Sequence, residues 1–285
     1  MDSEIDTKRI TAVEVEIQSA YGFMFPKGDR GFVSKVFGWT IACFSGARAG
    51  YQAIDARYHD FEHTLQGALC LARLLRGRHA AGATPVLSQR IFELGIIAIL
   101  LHDTGYLKRA DDTQGSGAKY TLVHVTRSVE FAAELLSEKG FAPEDIKAVQ
   151  NMIRCTGVNV DLSSIPFQSD VERIVGFALG TADLLGQMAA KDYVEKLPVL
   201  YLEFEESARH NNGRMTAAGS FASAEDLMKK TPLFWERYVM PKISQDFGGL
   251  HQFLNIPYPA GTNLYIQRIE ANLSKLRESQ GAVVS

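Results

Sequence analysis

The sequence predicts an all-α fold, and three observations carry that reading. Apolar residues recur with a period near 3.6 along most of the 285 residues. The runs are separated by Gly, Pro, Asn and Ser breaks such as "EKGFAPED" and "HNNGRMTAAGS". Ser169-Asp170 and Pro143 stand where helix N-termini favour them, before "VERIVGFALGTADLL" and "EDIKAVQNMI". No internal repeat, low-complexity tract or long linker divides the chain, so a single helical domain over 1–285 is expected.

The elements follow in chain order. Ile10, Val13, Ile17, Ala20, Tyr21 and Met24 mark one helical face, a longer pattern than the strand-like alternation of Val13, Val15 and Ile17. "YHDFEHTLQGALCLARLL", residues 58–75, carries Leu65, Leu69, Ala72 and Leu75 at helical spacing, and "RLLRGRH" gives its C-terminus favourable positive charge. Residues 77–86 are predicted as a loop. Ile91, Leu94, Ala98 and Leu101 mark the next helix, and further helices are expected over 121–138, 143–154, 169–188, 191–209, 223–245 and 262–278.

The composition excludes several classes. An apolar fraction of 46% supports a sizeable core, and a formal charge of −3 gives no basic face for a nucleic-acid polymer or an anionic membrane surface. No stretch reaches the roughly 18–20 apolar residues that span a bilayer, and "MDSEIDTKRI" lacks the pattern of a signal peptide. A cytoplasmic protein is expected. Cys43, Cys70 and Cys155 form no C-x-x-C pair and read as small core residues.

Polar residues interrupt this apolar pattern in three places. His59 and His63 lie four apart, so they project from one helix face and can approach a common ion or substrate. "FELGIIAILLHDTGYLK" is apolar from Leu94 to Leu101 and then places His102-Asp103 at its end. A buried carboxylate there needs a cationic partner, although a dipole-facing histidine and a turn-capping aspartate also fit. Asp183 interrupts a helical run; Gly180, Thr181 and Ala182 point to close packing, while Gln187 one turn on fits a solvated face. Together the motifs offer two or three imidazoles and two carboxylates, a set suited to a first-row divalent metal, or a pair, rather than calcium.

On these motifs the chain resembles the HD-domain superfamily of metal-dependent phosphohydrolases over about residues 55–210, with 1–54 and 211–285 as flanking segments. "YHDFEH" is similar to the first motif of cyclic-nucleotide phosphodiesterases. The resemblance implies metal ligation by His63, His102, Asp103 and Asp183, with Asp103 bridging two ions, and a general-acid role for His59. It implies one or two divalent ions, of iron, manganese, zinc, cobalt or magnesium. Asp60 stands where the resembling signature has Asn, and Tyr106 where those enzymes usually carry His. His124 resembles a position that reaches a second metal or the phosphate. The inositol-oxygenase members add a further histidine where "NMIRCTGVN" has none.

Lys108, Arg109 and Arg127 are candidates to bind the substrate phosphate. Gln267, Phe247 and Phe253 are candidates by type for a purine clamp, whereas Phe234 and Trp235 read as core aromatics. The carboxylates of "YLEFEESARH" read as one solvated helix face. The expected function is hydrolysis of a phosphate mono- or diester of a nucleotide or related small molecule. The alternatives are a catalytically silent metal- and ligand-binding sensor of the same fold and, third, a di-iron enzyme similar to the inositol oxygenases.

Overall fold

Every residue of "HTLQGALCLARLL" is buried in the structure, a computed structural model that describes residues 5–158, 160–211 and 221–281. The described residues hold helices α1 (Ile10–Met24), α2 (Phe32–Phe44), α3 (Phe61–Ala80), α4 (Gln89–Leu101), α5 (His124–Glu138), α6 (Pro143–Arg154), α7 (Asp170–Met188), α8 (Tyr193–His210), α9 (Ala224–Phe234) and α10 (Leu264–Gly281). The all-α class is therefore observed. The strand content is one two-residue antiparallel pair, β1 (Asn255–Ile256) and β2 (Thr262–Asn263), with Asn255 opposite Asn263.

α3 is the axis of the fold: it packs on α1, α4 and α7, and α4 packs in turn on α6 and α7. The core they share includes Ile17, Phe37, Leu71, Leu74, Phe92, Ile97 and Leu179, all nearly inaccessible. Each such side chain contributes roughly 1.5–3 kcal/mol by leaving water. Gly186 lets α3 and α7 meet closely, since a Cβ there would stand 2.8 Å from the Gln66 carbonyl carbon. That approach brings Asp183, one turn earlier on α7, toward the N-terminal end of α3.

Local signals explain the ends. Asp60 caps α3 by accepting from the His63 N–H at 2.9 Å, and Ser169 caps α7 through the Glu172 N–H. Pro143 opens α6 at a position where its missing N–H is harmless. α1 is helical, as its longer pattern predicts.

Several boundaries differ from the sequence reading. α3 continues through Ala80, so the loop predicted over 77–86 begins only at residue 81; Arg78 is buried and holds that last turn against the core. α5 starts at His124 rather than 121, after a 3-10 turn over Gly117–Tyr120. The helix predicted over 223–245 passes into π-helical turns at Trp235–Val239 and Lys242–Asp246, on either side of Pro241, which cannot donate to an α-helical ladder. α2 lies outside the predicted helices: it buries Phe32, Val33, Val36, Phe37, Thr40, Cys43 and Phe44 on one face, but Trp39 and Ile41 on the other side and the polar Thr40 within the stripe blur that pattern in the sequence. Of the break "HNNGRMTAAGS", residues 212–220 lie outside the described residues.

Candidate metal centre

Three helices deliver the site. His63 lies in the first turn of α3, His102 and Asp103 at the end of α4, and Asp183 in α7. His63 Nε2 stands 3.2 Å from Asp103 Oδ2 and 3.3 Å from Asp183 Oδ1. His102 Nε2 stands 3.3 Å from each of the same two oxygens. The four atoms form a ring in which imidazole and carboxylate alternate. Donors bound to one ion at about 2.1 Å and separated by 90–110° are themselves about 3.0–3.4 Å apart, as neighbouring atoms of this ring are; His63, His102 and Asp103 lie close enough together to hold one ion, with Asp183 bordering them.

Three of the ring atoms, His102 Nε2, Asp103 Oδ2 and Asp183 Oδ1, are buried and make no hydrogen bond. Buried polar atoms without partners are costly, and a cation at the ring centre would satisfy all three at once. The geometry agrees: His102 Nδ1 donates to the Ile99 carbonyl at 2.7 Å, so once a cation replaces the proton on Nε2 its lone pair points into the ring. The residues present thus fit a divalent ion.

Electrostatics inside the ring are strong. Burial opposes charge on every member, yet each histidine meets two carboxylates. Against burial, the close approach of the Asp103 and Asp183 carboxylates holds His63 up at about 9 and His102 well above the usual imidazole value. Both carboxyls, despite the same burial, are held below their usual range, chiefly by His102 and then His63. The solvated-face reading of Asp183 is therefore ruled out; Gln187, its supposed support, accepts from the Tyr58 hydroxyl at 2.9 Å.

The turn after the ring is built to hold Asp103. The Gly105 N–H donates to Ser128 Oγ at 2.8 Å, and only glycine fits there, because a Cβ would fall 2.0 Å from the His124 carbonyl oxygen. His124 faces the ring from its other side, with Nε2 3.9 Å from Asp103 Oδ1 and Nδ1 fixed 2.7 Å from the Thr121 carbonyl oxygen. Burial, with help from His59, keeps His124 below the ordinary imidazole pKa, so its free nitrogen is a lone-pair donor. Tyr106 is fully buried and stacks on both His59 (4.4 Å) and His124 (4.7 Å). Solvent reaches the site on this side, where the side chains of His59, His124 and Asp183 keep 14%, 20% and 12% exposure, against 1–2% for His102 and Asp103.

His59 does not join the ring. Its Nδ1 lies 2.6 Å from Glu203 Oε2, and Glu203 Oε1 accepts the Tyr58 N–H at 2.7 Å. Although buried, Glu203 is held below the usual carboxyl pKa by the His59 charge and these hydrogen bonds. This corrects the solvated reading of "YLEFEESARH": Glu203 is nearly inaccessible, and Glu206 is tied to Ser116. The available signal was the polarity of His59 itself, which needs a partner for its second nitrogen.

The candidate phosphate ligands are used otherwise. Lys108 is buried between Asp55 (2.8 Å) and the Gly115 carbonyl (2.8 Å). Arg109 pairs with Glu134 over the Tyr51 ring. Arg127 donates to the Gly105 and Leu107 carbonyls at 2.7 and 2.8 Å, so it braces the turn that carries Asp103. The suggested purine clamp is not assembled either: Phe247 packs in the core against Phe177, Phe253 stacks on Tyr258, and Gln267 is exposed on α10.

Among the described residues no helix is long and apolar enough to cross a membrane. All three cysteines are buried and free. A family model described as Npun_R2479-like matches residues 109–257, more than half of the chain; the stretch includes His124, Asp183 and Glu203 and begins after the His102-Asp103 pair. A comparison with curated proteins found no match.

Proposed function

We propose that this chain, which belongs to the Npun_R2479-like family, is a metal-dependent phosphohydrolase of HD type acting on a small phosphate ester. The observation that carries the proposal is the alternating ring of His63, His102, Asp103 and Asp183, with three buried unpartnered atoms, beside the separate His59–Glu203 pair. A ring of that composition holds a first-row divalent ion. When bound, such an ion supplies positive charge beside phosphoryl oxygens and a water acidic enough to attack phosphorus near neutral pH.

The chain's own residues supply the rest. Glu203 accepts the Nδ1 proton of His59 and fixes the ring, leaving His59 Nε2 to deliver a proton to the departing oxygen. Tyr106 holds the plane of His59 by stacking, and the same phenol ring packs on His124. His124 Nε2, on the exposed side and facing Asp103 Oδ1, carries a lone pair and is placed to bind a second ion. The burial of His102 and Asp103 keeps bulk water from one side of the ring.

The test is elemental analysis of the purified protein, followed by phosphate release from a panel of nucleotide and sugar phosphate esters with the recovered metal restored. Metal together with turnover that His59→Ala removes supports the proposal. Turnover unaffected by both Asp103→Ala and His59→Ala overturns it.

A second reading, a metal-dependent sensor without turnover, is favoured by one observation. Lys108, Arg109 and Arg127, the cations nearest the motifs in sequence, are all committed elsewhere and do not serve the phosphate. Ligand affinity without product release would select it.

A further inference from the structure

Past α9 the chain enters the π-helical turn Trp235–Val239, and Phe234 and Tyr238, four residues apart, come to lie over one another. Their rings stack with centroids 5.1 Å apart and planes 17° from parallel. Trp235 is nearly inaccessible and donates to Glu270, as a core aromatic should. Phe234, expected in the same role, is only partly buried, and so is Tyr238. A stacked aromatic pair therefore keeps surface in contact with solvent.

The pair is fastened to the elements that border the ring. The Tyr238 hydroxyl donates to the Val158 carbonyl at 3.0 Å. Val158 lies three residues past Cys155, whose carbonyl oxygen meets α7 so closely that a Cβ on Gly180 would stand 2.9 Å away. Asp183, the ring carboxylate that keeps solvent exposure, is three residues further along α7. Charge reports the same neighbourhood: burial and then the Asp183 carboxylate push the Tyr238 phenol up to about 12. Around the pair the surface stays apolar, with Val158 and Leu233 each 42% exposed.

We propose that the ligand of the ring is a phosphate ester with a flat aromatic body, seated against Phe234 and Tyr238. This seat rests on the metal-dependent reading of the ring, and it serves an enzyme and a sensor alike. The hydroxyls of a sugar phosphate need hydrogen-bond partners once they leave water. This border offers ring faces and aliphatic carbon instead, and its phenolic proton is already given to Val158. Aromatic faces stack on a flat ring whatever its pattern of donors and acceptors, so a nucleobase and a simple aryl group share the required chemistry.

The experiment is calorimetric titration of the metal-loaded full chain with phosphonates, whose carbon–phosphorus bond resists hydrolysis, taken in two pairs. Phenylphosphonate is compared with methylphosphonate, and an adenosine 5′-phosphonate with the ribose 5-phosphonate it contains. In at least one pair the ring-bearing ligand should bind about 5- to 150-fold more tightly, the gain for one ring stacked on an aromatic side chain. The pair with the larger gain identifies the source of the ring. Tyr238→Leu and Phe234→Leu should each remove most of that gain and leave metal content, far-UV circular dichroism and the affinity of the ring-free ligands unchanged. Tyr238→Phe, which keeps the ring and loses the bond to Val158, should retain it. Equal affinity within both pairs, or a gain that survives both leucine substitutions, would overturn the aromatic seat and leave the metal reading standing. A wild type that retains no metal, or retains it and binds none of the four phosphonates, would overturn both.

Discussion

Replacing Glu203 by Gln isolates the contribution of the His59–Glu203 pair. The Glu203 side chain is 5% exposed, and its two oxygens accept from His59 at 2.6 Å and from the Tyr58 N–H at 2.7 Å. The amide oxygen of Gln can keep the Tyr58 bond, so the backbone before α3 stays in place. What is lost is a charged, buried acceptor for His59. Hydrogen bonds to charged groups contribute about 1.5–3 kcal/mol, which corresponds to roughly 10- to 150-fold in rate if the bond matters only as the leaving oxygen takes its proton. The whole general-acid contribution is typically about 100- to 10,000-fold, so Glu203→Gln should lose less than His59→Ala. The assay compares two phosphodiesters that differ only in leaving group, one an alkoxide and the other nitrophenolate. Nitrophenolate departs without a proton, so the loss should fall on the alkoxide substrate, with metal content unchanged. An equal loss on both substrates would refute the acid role and leave the pair as a structural contact.

Three further outcomes follow from the same geometry. Without metal, His63 sits at about 9 against an ordinary 6.5, so the stability it contributes is fully present below 6.5 and is lost as pH rises through about 9; thermal melts of chelator-treated protein should decline over that window, and saturating metal should remove the decline. Gly186→Ala places a methyl group 2.8 Å from the Gln66 backbone, which should cost about 1–3 kcal/mol by forcing α3 and α7 apart. Metal affinity should fall with it, since His63 and Asp183 ride on those two helices; denaturant melts and metal titration check both. Arg127→Ala removes two hydrogen bonds to the Gly105 and Leu107 carbonyls and should destabilise by about 1.5–3 kcal/mol, with faster metal release as the Asp103 turn loosens.

The ring was legible in the sequence because its members violate local rules. His102-Asp103 ends an apolar helix and Asp183 interrupts another, and such residues need partners wherever the chain folds. Glu203 was not legible, because an acid in "YLEFEESARH" has the appearance of any solvated face, and only the tertiary approach of His59 singles it out. The cationic residues failed for the converse reason. Lys108 and Arg127 are near the motifs in sequence, but carbonyl groups and Asp55 claim them first. Among the helices, those with a clear apolar stripe were readable nearly to the residue, as α6 shows. The stripe of α2 is blurred by Thr40 within it and by Trp39 and Ile41 outside it, and the π-helical turns around Pro241 depend on backbone accommodation that periodicity does not encode.

The most direct measurement is metal content after loading with a first-row divalent ion and desalting, made on wild type, His63→Ala and Asp183→Ala, with X-ray absorption at the metal edge. The account predicts at least one retained ion per wild-type chain, bound by imidazole nitrogen and carboxylate oxygen, and its loss in both variants. A wild type that retains no ion, or variants that retain as much as wild type, would contradict it.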